Sequence, residues 1–227
     1  MTDRQENVLL SLAINIAIPA VVLMKLSGED TLGPVGGLVV ALAFPLAYGA
    51  ADFARRRQWN LVSVLGFVSV LLTGGIGLLQ LDPKWIAVKE AAVPGLIGVA
   101  VIASLKTRFP IVRSLLYNEK IIRVDQVEAA LAAKGNREAF ERTLVVASWM
   151  LAGSFFVSSV LNFVLAKLLV KSPAGTVEFN AELGRMTALS YPVIVVPSML
   201  IMVAALYYLF RSIRRLTQLD LEQILRS

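Results

Sequence analysis

The chain has 227 residues, 57% of them hydrophobic and 17% charged, with a formal net charge of +6 and neither Cys nor His. A mean hydropathy of +0.72 lies outside the balance of a soluble domain. Lacking Cys and His, the chain has no route to disulfides, thiol nucleophiles, imidazole-bound haem, zinc held by N/S ligands or histidine acid–base catalysis. Its basic residues flank apolar runs, where Lys and Arg orient membrane helices and touch anionic headgroups, so no nucleic-acid partner is expected.

Apolar runs long enough to cross a bilayer predict six spans, near residues 8–26, 32–54, 60–81, 83–105, 141–170 and 186–210. The first run lacks a small-residue cleavage pattern and reads as a span rather than a leader. Alternating ten-residue segments of the barrel kind are absent, so the fold class is all-α, a polytopic transmembrane helix bundle forming a single domain over 1–227. Six spans put both termini on one side. Sixteen of the 22 Lys and Arg fall on that side, which the positive-inside rule makes cytoplasmic. The expected location is the bacterial cytoplasmic (inner) membrane.

In the first span Asn15 precedes Pro19 by four residues, so its carbonyl loses a helical donor and a polar notch is expected. The third span carries "LTGGIGLL" (72–79), whose glycines imply close helix packing, with Thr73 beside them. Asp82 and Pro83 suit the start of the fourth helix. Lys89 follows about 9 Å in, near enough for its stem to reach back to water along Trp85. Glu90 has a shorter reach, and Arg185 is its expected partner. Pro94 leaves the Glu90 carbonyl without its usual donor.

The segment 106–140 is expected to be cytoplasmic. "FPIVRSLLYN" (109–118) reads as a helix lying in the interface. Asp125 and Glu128 suggest a capping box for a short helix near 126–134, stopped by Gly135, after which Asn136 caps a helix running into the fifth span. That span holds Ser158, Ser159 and Asn162, suited to hydrogen bonding between helices. Pro173 and Gly175 mark a turn in the outer loop, followed by Phe179, Asn180, Glu182 and Arg185 on an amphipathic return to the membrane. No Asp, Glu, Lys or Arg occupies the middle of any run, which disfavours proton relays and voltage sensors. No catalytic constellation, metal site or cofactor site is expected.

Two hairpins resemble each other: "SLAIN" leading to "LAFPLAYG" (11–49), and "SSVLN" leading to "LSYPVIVV" (158–196). The stretches "DPKWIAVKEAAVP" (82–94), "FPIVRSLLYN" (109–118), "SFFVSSVLNFVLA" (154–166) and "GTVEFNAELGRMTALSYPVI" (175–194) also resemble a bacterial inner-membrane family of unassigned activity. More distantly they are similar to intracellular septation protein A, with Phe179 standing where those proteins carry Trp. That resemblance implies a non-enzymatic role in envelope biogenesis or division through membrane partners, lipids or a second copy. The alternative is a small-solute transporter or channel using Asn15, Thr73, Lys89, Glu90, Asn162, Asn180, Glu182 or Arg185.

Overall fold

The structure, a computed structural model, describes residues 12–56, 61–107, 111–117, 119 and 122–225. The start of the first expected span, at 8–11, lies outside them, as do Arg4, Arg57, Arg108, Lys120 and Arg226. Among the described residues the regular structure is all helical, apart from one isolated bridge between Ile122 and Leu225. A π-turn at Ala13–Ala17 leads into α1 (Ile18–Lys25), followed by α2 (Gly33–Arg56), α3 (Leu61–Leu78) and α4 (Lys84–Ser104). Next come α5 (Ile111–Leu116), α6 (Val124–Ala133), α7 (Arg137–Leu169) and α8 (Val177–Ser190). A second π-turn, Tyr191–Val195, joins α8 to α9 (Val196–Thr217), and α10 (Leu221–Ile224) ends the fold.

Among the described residues, four helical runs are long and apolar enough to cross a membrane: Gly33–Ala51, Lys84–Ser104, Arg137–Leu169 and Val177–Thr217. Two further apolar helices, Ala13–Lys25 and Gly66–Leu78, are shorter. The described part of the first expected span begins at residue 12 and contains the π-turn. Pro19 has no N–H to give, and the chain widens by one residue just before it, so the Ile18 N–H bonds the Ala13 carbonyl five residues back. Asn15 lies within this π-turn.

Contacts divide the chain into two compact units, Met1–Val93 with Val160–Ile194, and Pro94–Ser159 with Val195–Ser227. In the first, α1 packs against α8 and α2, and α2 against α3, around Leu38, Ala41, Ile86, Phe179 and Leu183. Glycines set these distances. A Cβ on Gly184 would lie 2.8 Å from the Ala20 carbonyl oxygen, so α8 rests directly on the α1 backbone. One on Gly77 would run into the Leu38 side chain, and one on Gly74 would lie 2.9 Å from Leu42, as the small-residue stretch 72–79 implied.

The second unit is centred on Val112, Ile122, Leu131, Phe140, Leu209 and Ile213. Here three sequence expectations need correction. Helix α5 does not offer the apolar face of an interfacial helix, because Val112 is fully buried in this core and Ile111 packs on it; the side chains of Leu115 and Leu116 lie outside the described residues. Helix α6 starts at Val124, so Asp125 sits in its first turn, and Arg123 occupies the cap position without a side-chain bond. Glu128 does not close a capping box; it accepts from the Tyr117 hydroxyl at 3.5 Å and lies 3.8 Å from Arg137. Gly135 does stop the helix, at φ +67°, and Asn136 directly precedes the 33-residue α7. Its amide, however, donates to the Leu216 carbonyl at 2.8 Å.

Candidate functional site

Helix α4 begins where the sequence predicts, with the Lys84 N–H donating to the Asp82 carboxylate at 2.9 Å and the Lys84 ammonium 3.0 Å away. These contacts, the backbone one first, hold the exposed Asp82 carboxyl below its ordinary pKa. One and a half turns on, Lys89 departs from expectation. Its side chain is only 6% exposed and does not run outward along Trp85, which is itself half exposed. It turns instead to α3.

The Lys89 ammonium donates to Thr73 Oγ1 at 2.8 Å and to Ser69 Oγ at 3.1 Å, with the Ser69 carbonyl at 3.5 Å and Glu90 Oε1 at 2.6 Å. Ser69 and Thr73 are four residues apart, hence on one helical face, and the Thr73 hydroxyl passes its own proton to the Ser69 carbonyl at 3.1 Å. The outward reach fails for a physical reason. Water is one way to satisfy an ammonium, but three protein oxygens and a carboxylate do so at shorter range. Ser69 stands nine residues and Thr73 five residues before the end of α3 at Leu78, about 13 and 8 Å along the axis at 1.5 Å per residue, so the ammonium lies beside the apolar run of α3 rather than at its end. Glu90 pairs with Lys89 rather than with Arg185, which is exposed on α8.

The structure thus brings Thr73, Lys89 and Glu90 together and adds Ser69, which the sequence reading passed over. The other candidates serve elsewhere. Asn180, 1% exposed, donates through Nδ2 to the Pro34 carbonyl at 2.6 Å and to Ser27 Oγ at 3.1 Å, tying α8 to the α1–α2 connection. Glu182 accepts from the Lys171 and Ser172 N–H groups at 2.8 and 2.9 Å and from the Ser172 hydroxyl at 2.9 Å, clamping the loop before α8. On the same helix Phe179, Leu183 and Met186 are buried in the first unit while Arg185 is exposed. Asn15 and Asn162 are half-buried, and each is engaged with neighbours.

Chemically, the Lys89 cluster is a neutral ion pair with its donors filled, since an ammonium has three N–H groups and four oxygens surround this one. Among the described residues no group of His, Cys, Asp or Glu is arranged to hold a metal ion. Comparison of the chain with protein-family models, with curated proteins and with solved structures finds no match.

Proposed function

We propose that the protein is a six-span bundle of the bacterial cytoplasmic membrane, both termini inside, that works without catalysis by contacting lipids or other membrane proteins during envelope assembly. One observation carries this reading: the ion pair within the apolar helices is spent on its own neighbours. Lys89, Glu90, Ser69 and Thr73 close a lock between α3 and α4, while large apolar side chains such as Leu96, Val160, Leu168 and Leu200 stand exposed. A surface of that kind suits hydrocarbon and partner helices. Photo-crosslinking probes placed at Leu96, Val160 and Leu200 in living cells should capture the same membrane protein, or lipid, from more than one position. Capturing nothing specific, while purified protein moves a solute across liposomes, rejects the reading.

A second reading is favoured by the place of the ion pair within an apolar helix. Ionisable groups inside a span mark ion and substrate paths by default, and parting of the pair would release Lys89 for an anionic solute. Under transport, Glu90→Gln abolishes flux in liposomes while the protein stays folded. Under the lock, there is no flux to lose.

A further inference from the structure

The Arg-rich end of α9 carries a feature that the lock does not use. Val196, Leu200, Val203 and Tyr207 are 53%, 66%, 50% and 63% exposed, and their spacing of four, three and four residues keeps them on one helical stripe. At about 100° per residue the same stripe continues through Arg211 and Arg214, with Arg215 beside it. There it meets a cavity of about 630 Å³ between the end of α9 and α10. Tyr207, Phe210, Leu221 and Leu225 supply its apolar wall; Arg211, Arg214 and Arg215 supply positive charge against the single carboxylate of Asp220. Asp220 does not neutralise them, for its distance to Arg214 is 3.9 Å and both side chains are more than half exposed. Arg211 is steadied by the Tyr207 hydroxyl at 3.3 Å.

We infer that this cavity is a headgroup site for an anionic phospholipid, the phosphate lying among Arg211, Arg214 and Arg215 and one acyl chain following the stripe from Tyr207 toward Val196. The inference rests on the reading that α9 crosses the bilayer, because only then does the stripe face hydrocarbon and the cavity fall at headgroup level. Arginines at a helix C-terminus also offset its dipole; that role needs neither a cavity nor an apolar track leading into it. The planar guanidinium suits phosphate oxygens in pairs. Free inorganic phosphate shares the phosphate chemistry but gains nothing from the stripe.

The test uses the full-length protein in micelles of a neutral detergent. Thermal unfolding is followed during titration with phosphatidylglycerol, with phosphatidylcholine of the same acyl chains, and with inorganic phosphate. Phosphatidylglycerol should raise the midpoint saturably, and the other two should not. At roughly fivefold per interfacial arginine, Arg211→Gln with Arg215→Gln should weaken phosphatidylglycerol about twenty-fivefold. Asp220→Asn keeps a good helix cap and removes the opposing charge, so it should tighten binding. Equal effects of the two lipids, an equal effect of inorganic phosphate, or a headgroup preference unchanged in the arginine variant overturns the site. Should that variant fail to fold, unchanged or weaker binding by Asp220→Asn does the same. Loss of the headgroup preference with crosslinked partners intact separates this failure from failure of the proposed function.

Discussion

Lys89 and Glu90 are sequence neighbours, and neighbouring residues on a helix point about 100° apart, so nothing in the spacing foretold their pairing. The legible sign was on the partner helix, where two hydroxyls four residues apart, Ser69 and Thr73, present acceptors to any donor facing them. Replacing Lys89 with Met leaves the Glu90 carboxylate without its cation. Because the Glu90 side chain keeps 25% exposure, the loss should sit at the low end of the range for breaking one side of a buried pair, about 3 kcal/mol. Adding Glu90→Leu should recover more than half of it, as unfolding of the two singles and the double in detergent will show. Equal losses in single and double variants would mean that the stranded Glu90 carboxylate is not what the Lys89 substitution costs. At Asn180 the substitution to Ala takes a donor from the half-buried Pro34 carbonyl and the buried Ser27 hydroxyl and should cost about 1–3 kcal/mol in the same assay.

Among the elements, punctuation was readable and burial was not. Gly135 announced the end of α6, and its φ of +67° with open space around it means that Gly135→Ala should cost about 1–2 kcal/mol from backbone strain alone, with Asn losing less. Gly184→Ala is a different case, since the added methyl meets the rigid Ala20 carbonyl; it should be the more damaging of the two in thermal unfolding. The amphipathic pattern of α5 was visible in the sequence, but an apolar stripe fits a protein core as well as a membrane surface, and only the neighbours decide. Tyr117, which follows α5, records the outcome. Its ring lies 4.9 Å from that of Phe140, and burial, then the charge of Glu128, raises its phenol above the ordinary tyrosine value. The neutral form is therefore favoured in the fold. Stability contributed by Tyr117 is intact below about pH 10, where tyrosine in the unfolded chain starts to ionise, and is lost as pH rises further. Difference spectrophotometric titration against Tyr117→Phe should find Tyr117 ionising only with alkaline unfolding, and its ionisation below the unfolding pH would contradict this.

For the whole molecule, the all-helical class and the membrane character followed from composition and run length alone, because a lipid solvent leaves the backbone few solutions. The turn of Lys89 toward α3 did not follow, since it depends on which hydroxyls face it across a helix pair. The same holds for the Arg-lined cavity, whose arginines first appear in the sequence only as orienting charges. The central claim is that α4 crosses the bilayer from Asp82 to Lys106 and keeps its inner polar cluster away from water. A chain with no native Cys permits a clean measurement: Asp82→Cys, Lys106→Cys and Ser69→Cys, each labelled with a membrane-impermeant maleimide in intact cells and in inverted vesicles. Position 82 should label from the outside only, position 106 from the inside only, and position 69 from neither. Labelling of 82 and 106 from the same side, or of 69 as readily as 82, would contradict it.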